Sequence, residues 1–283
     1  MRSQAIPRRS VLFVGALALD GLAPALGSGA DIICVDLEDA VPPTKKTEGR
    51  KAALGALEKL SAHADVQVIA RINSLRSLDG LADITAFLTE QTTLGAILLP
   101  KVETGDEIKW AGALADEVNS SLDLYAIIET PDGLEHCREI ATAHKRMKAL
   151  FFGGFDLSTA LGSAMAPEPL LYARSRVVHA AASGGIEALD SPFPDVADLV
   201  GLRASAEQVK ALGMVGKAAK HASQIETIRD VFTPTAAEAE RAHKILSLFE
   251  EDPTKPLVFE GKLVELPTIK RLRRTVQFAC QGG

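Results

Sequence analysis

The chain has 283 residues, 47% hydrophobic and 24% charged, with a formal net charge of −6. That balance gives no long-range attraction to nucleic acid, and no stretch offers the roughly 18 to 20 uninterrupted apolar residues of a membrane span. Three scattered cysteines, Cys34, Cys137 and Cys280, fit neither a disulfide framework nor a thiolate metal site, so a reducing, cytoplasmic setting is expected.

At the N-terminal end, Arg8-Arg9-Ser10 before an apolar stretch has the form of a twin-arginine export signal. Asp20 interrupts that stretch, and residues 11–14 suit a strand followed by a helix. Further short apolar runs fall at 32–36, 66–72, 96–99, 124–129, 149–153, 187–189 and 214–216, making eight. Most are continuously apolar, as strands buried on both faces are. Helical spacing fills the gaps at 47–60, 78–91, 105–118, 133–144, 172–183 and 197–212. Alternating strands and helices predict βαβ units. Eight of them predict an α/β fold of the (β/α)8 TIM-barrel type, with an open doubly wound sheet as the alternative. The catalytic domain is expected over residues 1–250, its last part mostly helical with a turn at Thr233-Pro234. Residues 251–283, with three prolines and the stretch FEGKLVELP, read as a C-terminal helical arm or lid.

Barrel enzymes carry their chemistry at the carboxyl ends of the strands. Those positions here hold Asp36, Glu38 and Asp39 after the second run, Arg71 and Asn73 after the third, and Lys101 after the fourth. Glu129, Asp156, Asp190 and Lys217 follow the fifth to eighth. Glu129 and Asp156 end neighbouring strands, where two bare carboxylates would repel. A hard divalent cation resolves that conflict, and oxygen-only ligands suit Mg²⁺; the competing reading is a buried salt bridge to Arg71 or Lys101. Arg71 offers a planar fork for carboxylates or enolates, or a structural partner for Asp36 or Glu38. Gly153-Gly154 allows close backbone approach to a ligand, or simply a tight turn. The acidic loop 36–39 is either solvated or catalytic, and Lys45, Lys46 and Arg50 either neutralise it or meet ligand phosphates. Among the histidines only His221 is placed for a ligand role, and a G-x-S-x-G nucleophile elbow is lacking.

Taken together, RRSVLFV, GADIICVDLEDAVPP, RIN, ILLPKVET, AIIET, FFGGFDLSTALG, LLYARSRVVHAAASGGIEALDSPFPDVADLVGL and the Gly216-Lys217 pair resemble the citrate lyase β-subunit-like branch of the HpcH/HpaI aldolase group. The resemblance implies a Mg²⁺-dependent lyase acting on β-hydroxyacyl thioesters of CoA or an acyl carrier, such as citryl, malyl or citramalyl groups. It implies Glu129 and Asp156 as metal ligands and Arg71 as the group holding the thioester or enolate, with Asp36 and Glu38 beside it. Lys46 and Arg50 would lie near CoA phosphates, with Lys217 also on the cofactor side. Glu265, in the lid segment, would reach a neighbouring subunit's active site, which implies a homo-oligomer, a trimer or hexamer. The chain departs from the family pattern at Gly15-Ala16, Phe155, Ala222 and Glu265. A pyruvate-type aldolase without CoA and a non-catalytic paralogue are the alternatives, and a thioesterase outcome stays open beside lysis.

Overall fold

A computed structural model describes residues 6–58, 66–90, 93–253 and 255–280. Its eight core strands are β1 (Ser10–Gly15), β2 (Ile32–Asp36), β3 (Gln67–Arg71), β4 (Ala96–Leu99), β5 (Asp123–Ile128), β6 (Met147–Phe152), β7 (Glu187–Asp190) and β8 (Gly216–Ala219). They pair in parallel, in chain order, and β1 closes on β8. The expected (β/α)8 barrel is therefore what forms, and the open sheet is excluded.

The helices are α1 (Leu22–Leu26), α2 (Lys46–Glu58), α3 (Leu78–Thr89), α4 (Gly105–Glu117), α5 (Pro131–Glu135), α6 (Cys137–Thr142), α7 (Gly154–Leu161) and α8 (Leu171–Gly184). They continue with α9 (Leu199–Leu212), α10 (Ile225–Phe232), α11 (Ala236–Glu251) and α12 (Leu266–Cys280). The single helix expected over 133–144 is two, broken at His136. The last residues of the helices expected at 47–60 and 78–91 lie outside the described residues. Among the described residues, no helix is long and apolar enough to cross a membrane.

Strand side chains alternate between two layers. Val11, Ile32, Cys34, Ile69, Leu98, Tyr125, Ile127, Phe151, Leu189 and Ala218 fill the barrel interior. Their neighbours, such as Ile33, Val35, Ala70 and Leu150, pack outward under the helices. At the amino end the interior is closed by polar groups: Arg8 Nε donates to Tyr125 Oη (2.7 Å), which donates to Gln67 (2.8 Å), while Arg8 Nη1 pairs with Glu187 (2.8 Å). Arg9, buried, forks onto Asp31 at 2.8 and 2.9 Å and reaches Thr233. The segment resembling an export signal thus contributes β1 and the base of the barrel.

The eighth strand lies two residues later than the apolar run suggests. Gly213, at φ 110°, ends α9 in the left-handed conformation, so residues 214–215 are connection. Lys217 consequently falls inside β8 rather than after it.

The C-terminal arm is a hairpin between two helices. β9 (Leu257–Phe259) pairs antiparallel with β10 (Lys262–Val264). Glu260 (φ 48°) and Gly261 (φ 74°) form the two-residue turn that this geometry favours. Ile245, Leu246 and Ile269 build a small core for it, with Phe249, Leu257, Phe259 and Leu272 against them.

Candidate active site

The alternation that fills the barrel also loads its carboxyl-end mouth. Ile32 and Cys34 point inward, so Asp36 does too; Ile69 leads to Arg71, and Tyr125 and Ile127 lead to Glu129. A cavity of about 410 Å³ opens there, lined by Asp36, Asp39, Arg71, Glu129 and Asp156, with Phe13, Phe151 and Phe155 as apolar wall.

Arg71 is the hub. Its Nε and Nη2 grip both oxygens of Asp36 at 2.7 and 2.6 Å, and Nη1 meets Glu38 at 2.8 Å. The guanidinium also stacks over Phe13, 5.1 Å from the ring centre. Burial works against this charge, but Asp36, Glu38 and Asp39 more than offset it and hold Arg71 firmly ionised. Asp36 further accepts from the Glu38 backbone N–H at 2.9 Å, which turns the acidic loop back on itself. Asp36 and Glu38 are both buried, so that part of the loop is a packed wall, while Asp39 stays exposed.

Lys101 takes a left-handed backbone, φ 52°, directly after β4. Its backbone N–H donates to Glu129 Oε1 at 2.8 Å and its Nζ meets Glu38 Oε1 at 2.6 Å. Burial still pushes the Glu38 carboxyl up, against the pull of Arg71 and Lys101.

Glu129 is only 4% exposed. Burial, then the charges of Glu38 and Asp156, push its pKa up to about 8. Asp156 stands more open, in the first turn of α7. The turn before it needs glycine: a Cβ on Gly153 would lie 2.3 Å from Glu129 Cβ and 2.6 Å from its Oε2. Among the described residues no group of three or more His, Cys, Asp or Glu side chains is arranged to hold a metal. Two mutually repelling carboxylates facing one cavity still fit Mg²⁺, which usually keeps several waters and takes only one or two protein carboxylates.

The other residues singled out from sequence lie elsewhere. Lys46 Nζ is held by the carbonyls of Leu37 (3.0 Å) and Glu38 (2.6 Å), bracing the acidic loop. Arg50 pairs with Asp83 at 2.6 Å and Asp79 at 3.3 Å, joining α2 to α3. Lys217, whose neighbour Ala218 points inward, is directed outward and bonds Asp190 beneath the helices. Glu265 is exposed at the start of α12. None of these four lines the mouth cavity. His221 caps the turn after β8, with Nδ1 near Ser223.

Two polar lining residues escaped the sequence reading. Lys220 follows β8 and sits over the Phe155 ring, 4.4 Å from its centre. Ser191 follows β7, is buried, and its Oγ has no hydrogen-bond partner among the described residues. Correct placement of the last two strand ends would have pointed to both.

Comparison with known proteins agrees with this geometry. The family model for HpcH/HpaI aldolase/citrate lyase matches residues 9–222. A (3S)-malyl-CoA thioesterase of Cereibacter sphaeroides is 34% identical over 98% of this chain and 96% of its own. The mitochondrial citramalyl-CoA lyase of Homo sapiens is 28% identical over 97% and 86%. A crystal structure of CitE from Mycobacterium tuberculosis, in complex with magnesium, acetoacetate and coenzyme A, superposes with a TM-score of 0.79 at 25% identity. It covers 97% of this chain and 98% of its own.

Proposed function

The chain belongs to the HpcH/HpaI aldolase/citrate lyase family, and we propose on that premise that it is a magnesium-dependent carbon–carbon lyase acting on a β-hydroxyacyl-CoA thioester. The observation that carries this reading is the meeting, at one mouth, of buried Glu129 with Asp156 and the Arg71 hub. Glu129 and Asp156 would hold Mg²⁺. When bound, that ion supplies a Lewis acid for the hydroxyl and carboxylate oxygens of the acyl group.

The chain's own residues supply the rest. Arg71 places a permanent cation at the inner wall, where the thioester carbonyl becomes an enolate as the C–C bond breaks. Asp36 and Glu38 fix that fork in place rather than touching the reacting atoms. Phe13, Phe151 and Phe155 keep water from the enolate. Ser191 Oγ, lacking a protein partner among the described residues, is available to a substrate oxygen. The hydroxyl proton must pass to a base. Glu265 of the same chain does not line this mouth, so the reading takes Glu265 from a neighbouring copy of a trimer or hexamer. Lys46, bracing the acidic loop, is the remaining cation for a CoA phosphate, whereas Arg50 is taken up by Asp83 and Asp79. Lys217 has no part in this scheme.

Hydrolysis of the thioester is the second reading, supported by the 34% identity to a malyl-CoA thioesterase over nearly the whole chain. Incubation with citryl-, malyl-, citramalyl- and hydroxymethylglutaryl-CoA, with and without Mg²⁺, separates the two. Lysis releases a shorter acyl-CoA with a carbonyl acid, whereas hydrolysis releases free CoA thiol. Turnover is expected to need Mg²⁺ and to vanish in Glu129→Ala; unchanged activity in EDTA would sink the scheme. Cleavage of free hydroxy-keto acids alone would instead identify a pyruvate-type aldolase, and absence of Mg²⁺ binding a non-catalytic paralogue.

A further inference from the structure

A second cavity, about 510 Å³ in volume, lies outside the barrel between α8 and α9. Leu171, Val209, Leu212 and Phe193 give it aliphatic and aromatic walls, while Arg174 and Lys217 also line it. Arg174 is 8% exposed and Lys217 1%. Both meet the same carboxylate, Asp190, itself wholly buried: Arg174 Nε lies 3.0 Å from Oδ1, and Lys217 Nζ bonds Oδ2. Two buried cations therefore share one buried anion. Among the described residues no other carboxylate pairs with either; Glu168 stands exposed among the lining residues. A buried charge without a counter-charge is strongly unfavourable. Burial accordingly pushes the Lys217 ammonium pKa down, against the pull of Asp190.

Arg174 has spare hydrogen-bonding capacity. Only its Nε meets a protein acceptor among the described residues, and its guanidinium lies 4.7 Å from the Phe152 ring centre. A fork of this kind suits a carboxylate. A surplus cation at the base of an apolar cleft has the chemistry of a receptor for a carboxylate with an aliphatic body.

We propose that this cavity binds a short- or medium-chain fatty acid, its carboxylate on Arg174 and its chain along Leu171, Val209 and Leu212. The site is separate from the mouth but shares a wall with it, since Pro192 lines both cavities. It does not depend on the lyase reading.

Titration calorimetry of the full chain with octanoate, and with octan-1-ol as the uncharged comparator, tests this. Octanoate is expected to bind one site, with octanol at least about tenfold weaker, because a charge-assisted fork is lost. Arg174→Met should weaken octanoate by about tenfold or more. Ala204→Trp fills the cavity from an exposed position on α9 and should abolish binding with the fold intact. Asp156→Asn, at the mouth, should leave octanoate binding unchanged. No binding at millimolar octanoate overturns the proposal, as does equal affinity for the alcohol. So does octanoate binding that survives Ala204→Trp but responds to Asp156→Asn, because the acid then sits in the mouth. A change in oligomeric mass on Ala204→Trp, with no octanoate heat in the parent chain, would assign the cavity to a second copy instead and equally overturn it.

Discussion

Replacing Glu129 by Gln should make the metal-free protein more stable in alkali, by an amount that shrinks steadily as pH falls toward 4.5. Folded Glu129 keeps its proton up to about pH 8, against an ordinary value of 4.5. The folded state therefore holds a proton that the unfolded chain has already released, and stability falls as pH rises through that interval. At about 1.4 kcal/mol per pH unit, the displacement from 4.5 to about 8 bounds the loss at about 5 kcal/mol, complete only above pH 8. The neutral amide of Glu129→Gln escapes it. Urea unfolding of both proteins in EDTA, at pH 6 and pH 9, measures the effect directly. The advantage of the variant should be about 2 kcal/mol at pH 6 and about 5 kcal/mol at pH 9. Mg²⁺ should behave in the opposite sense, raising the Tm of the parent far more at pH 9 than at pH 6, because its ligand must first lose a proton. Stability curves that run parallel across this range would refute the buried-carboxylate argument, and so would a larger Mg²⁺ effect at pH 6.

Arg71→Met leaves Asp36 buried without its cation and Glu38 with Lys101 alone, and should cost about 3–5 kcal/mol in denaturant unfolding. Arg71→Lys should restore only part of it, because one ammonium cannot replace the fork on Asp36. Gly153→Ala should weaken Mg²⁺ at least about tenfold by calorimetry at pH 8, since the new methyl takes the place of Glu129. Arg9→Ala should destabilise the barrel by about 3–5 kcal/mol, because buried Asp31 is left with only Arg229 Nε at 3.9 Å as counter-charge, while KM and kcat in a thioester assay stay put.

The legible parts of this molecule are those written in hydrophobic runs. Seven strands lie close to where apolar stretches put them, because residues such as Ile32, Ile33 and Val35 are buried whichever face they take. β8 was displaced because its wall is too tight for such residues. A Cβ on Gly216 would lie 2.0 Å from the Arg8 carbonyl oxygen, and Ala218 and Ala219 are equally small. The apolar pattern alone puts Lys217 at the mouth, whereas its parity in the strand sends it outward to Asp190. The mouth carboxylates and Arg71 were readable as strand-end polar groups. What could not be read was which groups they meet. The stacking of Lys220 on Phe155, and the loss of Arg50 to Asp83 on α3, join segments far apart in sequence.

Lys101 holds Glu129 with its main chain and Glu38 with the tip of its side chain. Two acids that follow different strands are thereby joined through one residue, one by a main-chain hydrogen bond and the other by an ion pair. A change in the left-handed backbone of Lys101 would therefore be felt by both acids at once.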